Sequence, residues 1–160
     1  MNRKKKCELA LASLLGMGIA FGGAPLKAYA YNQELLVSGG NTVTQNQTGL
    51  ANEQNHVQID QNSTLNGNIS ILGVTPTPRA VVRVEASANS RWQGSLSQLG
   101  GYSQVNVTDS AWLGDLNQAH SSTNERADST VFLQNSQWNG KLINDGGQAD
   151  VFLVNSTHQG

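Results

Sequence analysis

Three features of the sequence predict an all-β protein, a right-handed parallel β-helix (β-solenoid) preceded by a signal peptide. A five-residue unit returns along the second two thirds of the chain: Ser63-Thr64-Leu65-Asn66-Gly67, Ser90-Arg91-Trp92-Gln93-Gly94, Ser110-Ala111-Trp112-Leu113-Gly114, Ser136-Gln137-Trp138-Asn139-Gly140 and Ser156-Thr157-His158-Gln159-Gly160. All three tryptophans of the chain stand at its centre. Its flanks are apolar at alternating positions, and its copies are spaced like the turns of a solenoid.

The flanks come first. Before each serine stands an aliphatic pair two positions apart: Val57 and Ile59, Val82 and Val84, Val105 and Val107, Val131 and Leu133, Val151 and Leu153. Two positions after the glycine comes one more aliphatic residue, Ile69, Leu96, Leu116 or Leu142. Period-two alternation on both sides of a polar turn describes half-buried strands, and neither arm has helical spacing. The serines lie 27, 20, 26 and 20 positions apart. Self-similarity at that period signals a solenoid, and turns made of short strands and polar corners suit a parallel β-helix rather than a helical or leucine-rich array.

Taken in order, the chain opens with basic Arg3, Lys4, Lys5 and Lys6, an apolar run from Leu9 to Gly23, and Ala28-Tyr29-Ala30. These predict a secretory signal peptide over 1–30, with cleavage after Ala30. The remaining chain keeps five basic residues against ten acidic ones, a net of −5. That balance argues against a nucleic-acid partner, which requires clustered Lys and Arg. The single cysteine, Cys7, falls within the signal, so the exported part is stabilised by stacking without disulfides. Residues 31–56 are rich in Asn and Gln and read as an N-terminal cap, with one strand near Leu35-Leu36-Val37 and a turn at Gly39-Gly40. Residues 57–160 carry the β-helix repeats. Within them Thr75-Pro76-Thr77-Pro78 predicts an extruded loop, since proline cannot donate to a ladder. Gly100-Gly101 and Gly146-Gly147 predict tight corners. The insert from His120 to Asp128 projects from one face and is a first place to look for partner contacts.

Parity within the repeat places Trp92, Trp112 and Trp138 on the same face as Leu96, Leu116 and Leu142, with Leu65 in the tryptophan position of the first copy. The simplest packing stacks these side chains inward, turn upon turn. An outward aromatic strip for sugars is the alternative. His158 fits an apolar interior poorly. Asn62, Asn135 and Asn155 directly precede their serines, as do Asn89 and Asp109, and predict a turn ladder in which amides bond their counterparts above and below. The carboxylates and the three histidines scatter over different repeat positions, without triad order or metal-ligand spacing. No catalytic residue, metal ligand or cofactor is assigned.

The signal peptide, the cysteine-free remainder and turns such as Val131-Phe132-Leu133-Gln134-Asn135-Ser136-Gln137-Trp138-Asn139-Gly140-Lys141-Leu142 resemble passenger segments of type V autotransporters, of the AIDA-like and pertactin-like adhesin class, over about 31–160. The resemblance implies a parallel β-helix displayed on a Gram-negative cell, a non-catalytic scaffold for adhesion, aggregation or biofilm. The partner it implies for the full-length parent is a host or neighbouring-cell surface, through glycan or protein. Members of that class end in a translocator barrel, and no such barrel follows His158. The expectation is therefore an N-terminal fragment, surface-located in its parent and periplasmic when alone. A glycan-binding module, a polysaccharide-degrading enzyme and a non-functional truncated product are the competing readings.

Overall fold

A computed structural model describes residues 33–50, 53–72, 80–120 and 126–160. The expected signal peptide with its cleavage after Ala30, the Thr75-Pro76-Thr77-Pro78 segment and residues 121–125 of the long insert lie outside these. Every regular element among the described residues is a strand.

The strands follow the turns of a β-solenoid. The first turn is β1 (Gln33–Val37), β2 (Thr42–Thr44) and β3 (Gln47–Leu50); the second is β4 (Gln54–Ile59), β5 (Thr64–Asn66) and β6 (Ile69–Leu72). The third is β7 (Val81–Ala86), β8 (Arg91–Gln93) and β9 (Leu96–Leu99), and the fourth β10 (Gly101–Thr108), β11 (Ala111–Leu113) and β12 (Leu116–Ala119). The fifth is β13 (Ala127–Gln134), β14 (Gln137–Asn139) and β15 (Leu142–Asp145), followed by β16 (Gly147–Val154) and β17 (Thr157–Gln159). Three parallel sheets result. The first holds β1-β4-β7-β10-β13-β16, the second β2-β5-β8-β11-β14-β17 and the third β3-β6-β9-β12-β15. A chain that returns to the same three sheets at each turn can only pair in parallel, so corresponding repeat positions meet in register.

Residues 33–50, read from sequence as a cap, form a complete turn, and the expected boundary between 56 and 57 falls inside β4. Leu35 and Val37 stand over Val57 and Ile59, and Val43 over Leu65. This turn hides from a motif search because it carries no tryptophan, and Gln45 stands where later turns have glycine. It lies at the end of the stack and so covers the second turn by being one more turn.

The repeated pentapeptide owes each of its fixed residues to a separate constraint. The indoles of Trp92, Trp112 and Trp138 are buried, and they stack with ring centres 4.8 and 4.6 Å apart and planes within 4° of parallel. Each indole buries roughly 150 to 250 Å², worth roughly 4 to 6 kcal/mol of transfer free energy before ordering costs. A buried indole also needs an acceptor for its N–H. Each Nε1 donates to the carbonyl of the motif glycine one turn below, Trp92 to Gly67, Trp112 to Gly94 and Trp138 to Gly114, all at 2.9 Å. His158 takes the same place, stacked 4.0 Å from Trp138 with Nε2 2.8 Å from the Gly140 carbonyl.

The glycines form their own column because there is no room for a side chain. A Cβ on Gly114 would lie 2.1 Å from the Gly94 carbonyl oxygen, and one on Gly140 would lie 1.9 Å from that of Gly114. Of the aliphatic residues assigned to the core, Leu65, Leu96 and Leu116 are fully buried. Leu142 departs from that assignment. It stands in register with Leu116 but is 39 % exposed, because β15 is the last described strand of the third sheet.

Trp112→Ala is expected to destabilise the protein by about 3 to 5 kcal/mol, read as a lower urea midpoint. Trp138→His, which keeps both the stack and the bond to the glycine carbonyl, is expected to cost clearly less than Trp138→Ala. Gly114→Ala forces its Cβ into backbone and is expected to cost about 3 kcal/mol on the same measurement.

Candidate functional site

At the corner between the first and second sheets the backbone enters the left-handed region and polar side chains line the surface. Asn62, Asn89, Asp109, Asn135 and Asn155 all adopt positive φ, between 49° and 60°. Asn and Asp tolerate this left-handed region better than other residues with a side chain, which explains their place just before each serine. In the first three turns the corner has two consecutive left-handed residues, Gly39-Gly40, Gln61-Asn62 and Ala88-Asn89. Later turns use one, at Asp109, Asn135 and Asn155.

Among the described residues the predicted amide ladder exists only in the later turns. Asn155 Nδ2 donates to Asn135 Oδ1 at 3.4 Å, and Asn135 Nδ2 donates to Asp109 Oδ1 at 3.0 Å. Asn62 occupies the equivalent corner, but its side chain joins no ladder, and neither does that of Asn89. The serines behind them supply continuity instead. The hydroxyls of Ser63, Ser110, Ser136 and Ser156 accept hydrogen bonds at 3.0 to 3.1 Å from the backbone N–H of Gly40, Ser90, Ser110 and Ser136, respectively.

A second ladder runs along the opposite end of the second sheet, one residue past each motif glycine. Asn46 Oδ1 accepts from Asn68 N, Asn68 Oδ1 from Ser95 N, Ser95 Oγ from Asp115 N and Asp115 Oδ1 from Lys141 N, at 2.8 to 3.1 Å. The position only requires a short acceptor, so its residue type changes from turn to turn, and pattern reading passed over it.

Inside the solenoid, where the third sheet leads into the first, the packing turns polar. Gln98, Gln118, Ser103 and Ser129 are buried. Gln118 Nε2 donates to the Ala127 carbonyl at 2.8 Å and to Ser129 Oγ at 2.9 Å, while Ser103 Oγ bonds Gln98 Oε1 at 3.1 Å. Two turns down, Gly49 leaves space for buried Asn55, whose Nδ2 would lie 2.8 Å from a Cβ at that position.

On the outer face of the first sheet, His56 is buried between two carboxylates. Its Nδ1 lies 3.4 Å from Glu34 Oε1 and its Nε2 3.3 Å from Glu85 Oε2. The hydrogen bond from His56 holds the Glu85 carboxyl below its ordinary pKa; burial opposes this, and the charges of His56 and Arg83 add to it. Among the described residues no group of three or more His, Cys, Asp or Glu side chains is placed to hold a metal ion.

Among the described residues two surface depressions are large enough to bear on binding. The larger, about 370 Å³, runs over the third sheet, where Leu72, Leu99 and Ile143 point outward beside Ser70, Ser97 and Asn117. The smaller, about 290 Å³, lies along the asparagine corner and is lined by Asn89, Arg91, Asp109, Ala111, Asn135 and Gln137 with the intervening serines. Trp92, Trp112 and Trp138 form no outward strip. No protein-family model, curated protein or solved structure matches the chain.

A carboxyl whose pKa is lowered on folding contributes stability that is fully present above its unfolded value and is lost as pH falls through its folded value. The stability difference between the parent and Glu85→Gln is therefore expected to shrink as pH falls below 4.5, the ordinary value. Urea unfolding of both proteins across that range checks this.

Proposed function

We propose that this chain is the β-solenoid of an autotransporter-type passenger, exported and held at a cell surface as a non-catalytic scaffold for adhesion or aggregation. The observation that carries the reading is the uninterrupted column of Trp92, Trp112 and Trp138, continued in register by His158 on one side and Leu65 and Val43 on the other. That column fills the solenoid beside the second sheet with side chains, so this part of the interior serves stiffness. What is offered to a partner is the outer surface, with the same positions repeated at every strand spacing. The signal-like opening and the absence of cysteine after Cys7 support export of a chain that needs no disulfide to fold.

Beads coated with the mature chain are expected to attach to bacterial or epithelial cells several-fold above albumin-coated beads. Attachment no greater than that of albumin would sink the adhesive reading. Trp112→Ala beads, with the stack broken, are expected to lose the excess.

A further inference from the structure

The geometry points to the cleft along the asparagine corner as a binding site for a carboxylated saccharide, an inference that takes its biological use from the adhesive reading above. Arg91, Ala111 and Gln137 occupy the same outward position in β8, β11 and β14. The small Ala111 between two long exposed neighbours creates the depression of about 290 Å³.

Arg91 is the only charged side chain that the second sheet turns outward, and among the described residues it makes no ion pair or side-chain hydrogen bond. On an acidic protein, a guanidinium left open in this way presents a planar donor fork that matches a carboxylate. Beside it, Asp109 has Oδ1 engaged by Asn135 Nδ2 at 3.0 Å, which leaves its second oxygen to accept from ligand hydroxyls. The amides of Asn89, Asn135 and Gln137 add donors and acceptors around the rim.

One cation and one anion in the same cleft suit a ligand with a single carboxylate among hydroxyl groups. A densely sulfated chain would meet Asp109 unfavourably. An acidic peptide would find no apolar recess for neighbouring side chains, since Ala111 is the only apolar residue in the lining.

The test is an NMR titration of the mature chain with oligogalacturonate. Maltooligosaccharide, oligoglutamate and dextran sulfate serve as neutral, peptide and sulfated comparisons. Millimolar binding is expected for oligogalacturonate alone, with shifts confined to the amides of residues 89, 91, 109, 111, 135 and 137. Arg91→Gln and Ala111→Gln are each expected to weaken it about tenfold. Both positions face solvent, so circular dichroism should show both variants folded, and Ala111→Gln fills the notch without altering charge. Absence of shifts with oligogalacturonate, equal shifts with oligoglutamate or dextran sulfate, or unchanged binding by Arg91→Gln would each overturn the site. Coated beads that attach while the titration fails leave adhesion standing and remove this site. A successful titration with beads that do not attach leaves the site standing and removes adhesion.

Discussion

Parallel pairing in register imposes one constraint from which the other features follow: every side chain sits about 4.8 Å from its counterpart in the next turn. A residue is tolerated in a column only if it can bear its own kind above and below. Indole satisfies this by stacking, and its N–H escapes the column sideways to a glycine carbonyl. Serine satisfies it because its hydroxyl accepts from the backbone of the adjacent turn. Glycine satisfies it by having nothing to collide with. A carboxylate directly over another would repel it, and Asp109 accordingly sits against Asn135.

The parts of this architecture that could be read from sequence are the ones where chemistry as well as geometry repeats. Trp, Ser and Gly recur because each meets a separate demand of its column, stacking, a short acceptor or lack of room, and the alternating valines mark strands by facing the core. Repeat position predicts which way Leu142 faces, while its exposure depends on whether another turn covers it. The first turn is not legible as a copy because Asn41, Val43 and Gln45 stand where the second turn has Ser63, Leu65 and Gly67. The ladder of Asn46, Asn68, Ser95 and Asp115 was missed because three residue types meet one need, a short acceptor aimed at the next backbone N–H. The polar corner was missed for a different reason. Glutamine reads as a surface residue, and only the folded chain shows Gln98 and Gln118 inward with Ser103 and Ser129 to bond them.

The interior is thus divided. Beside the second sheet it is apolar and aromatic; at the passage from third sheet to first it is an amide and hydroxyl network. Buried amides hold their geometry more strictly than packed aliphatics do, because a bond lost inside costs about 1 to 3 kcal/mol. A slip of one residue in the first sheet would turn Ser103 and Ser129 outward and strand the two glutamines. The apolar side chains of all three sheets supply the burial, and the polar side adds a penalty for misalignment.

The change from two left-handed corner residues to one, between the third and fourth turns, divides the rod into two gauges. Within either gauge a duplicated or deleted turn meets neighbours with the same corner, and every column continues across the splice. A turn moved from one gauge into the middle of the other brings a corner one residue too long or too short. Copying a turn inside a block would therefore leave the corner geometry intact, while the junction between blocks marks one fixed position along the axis.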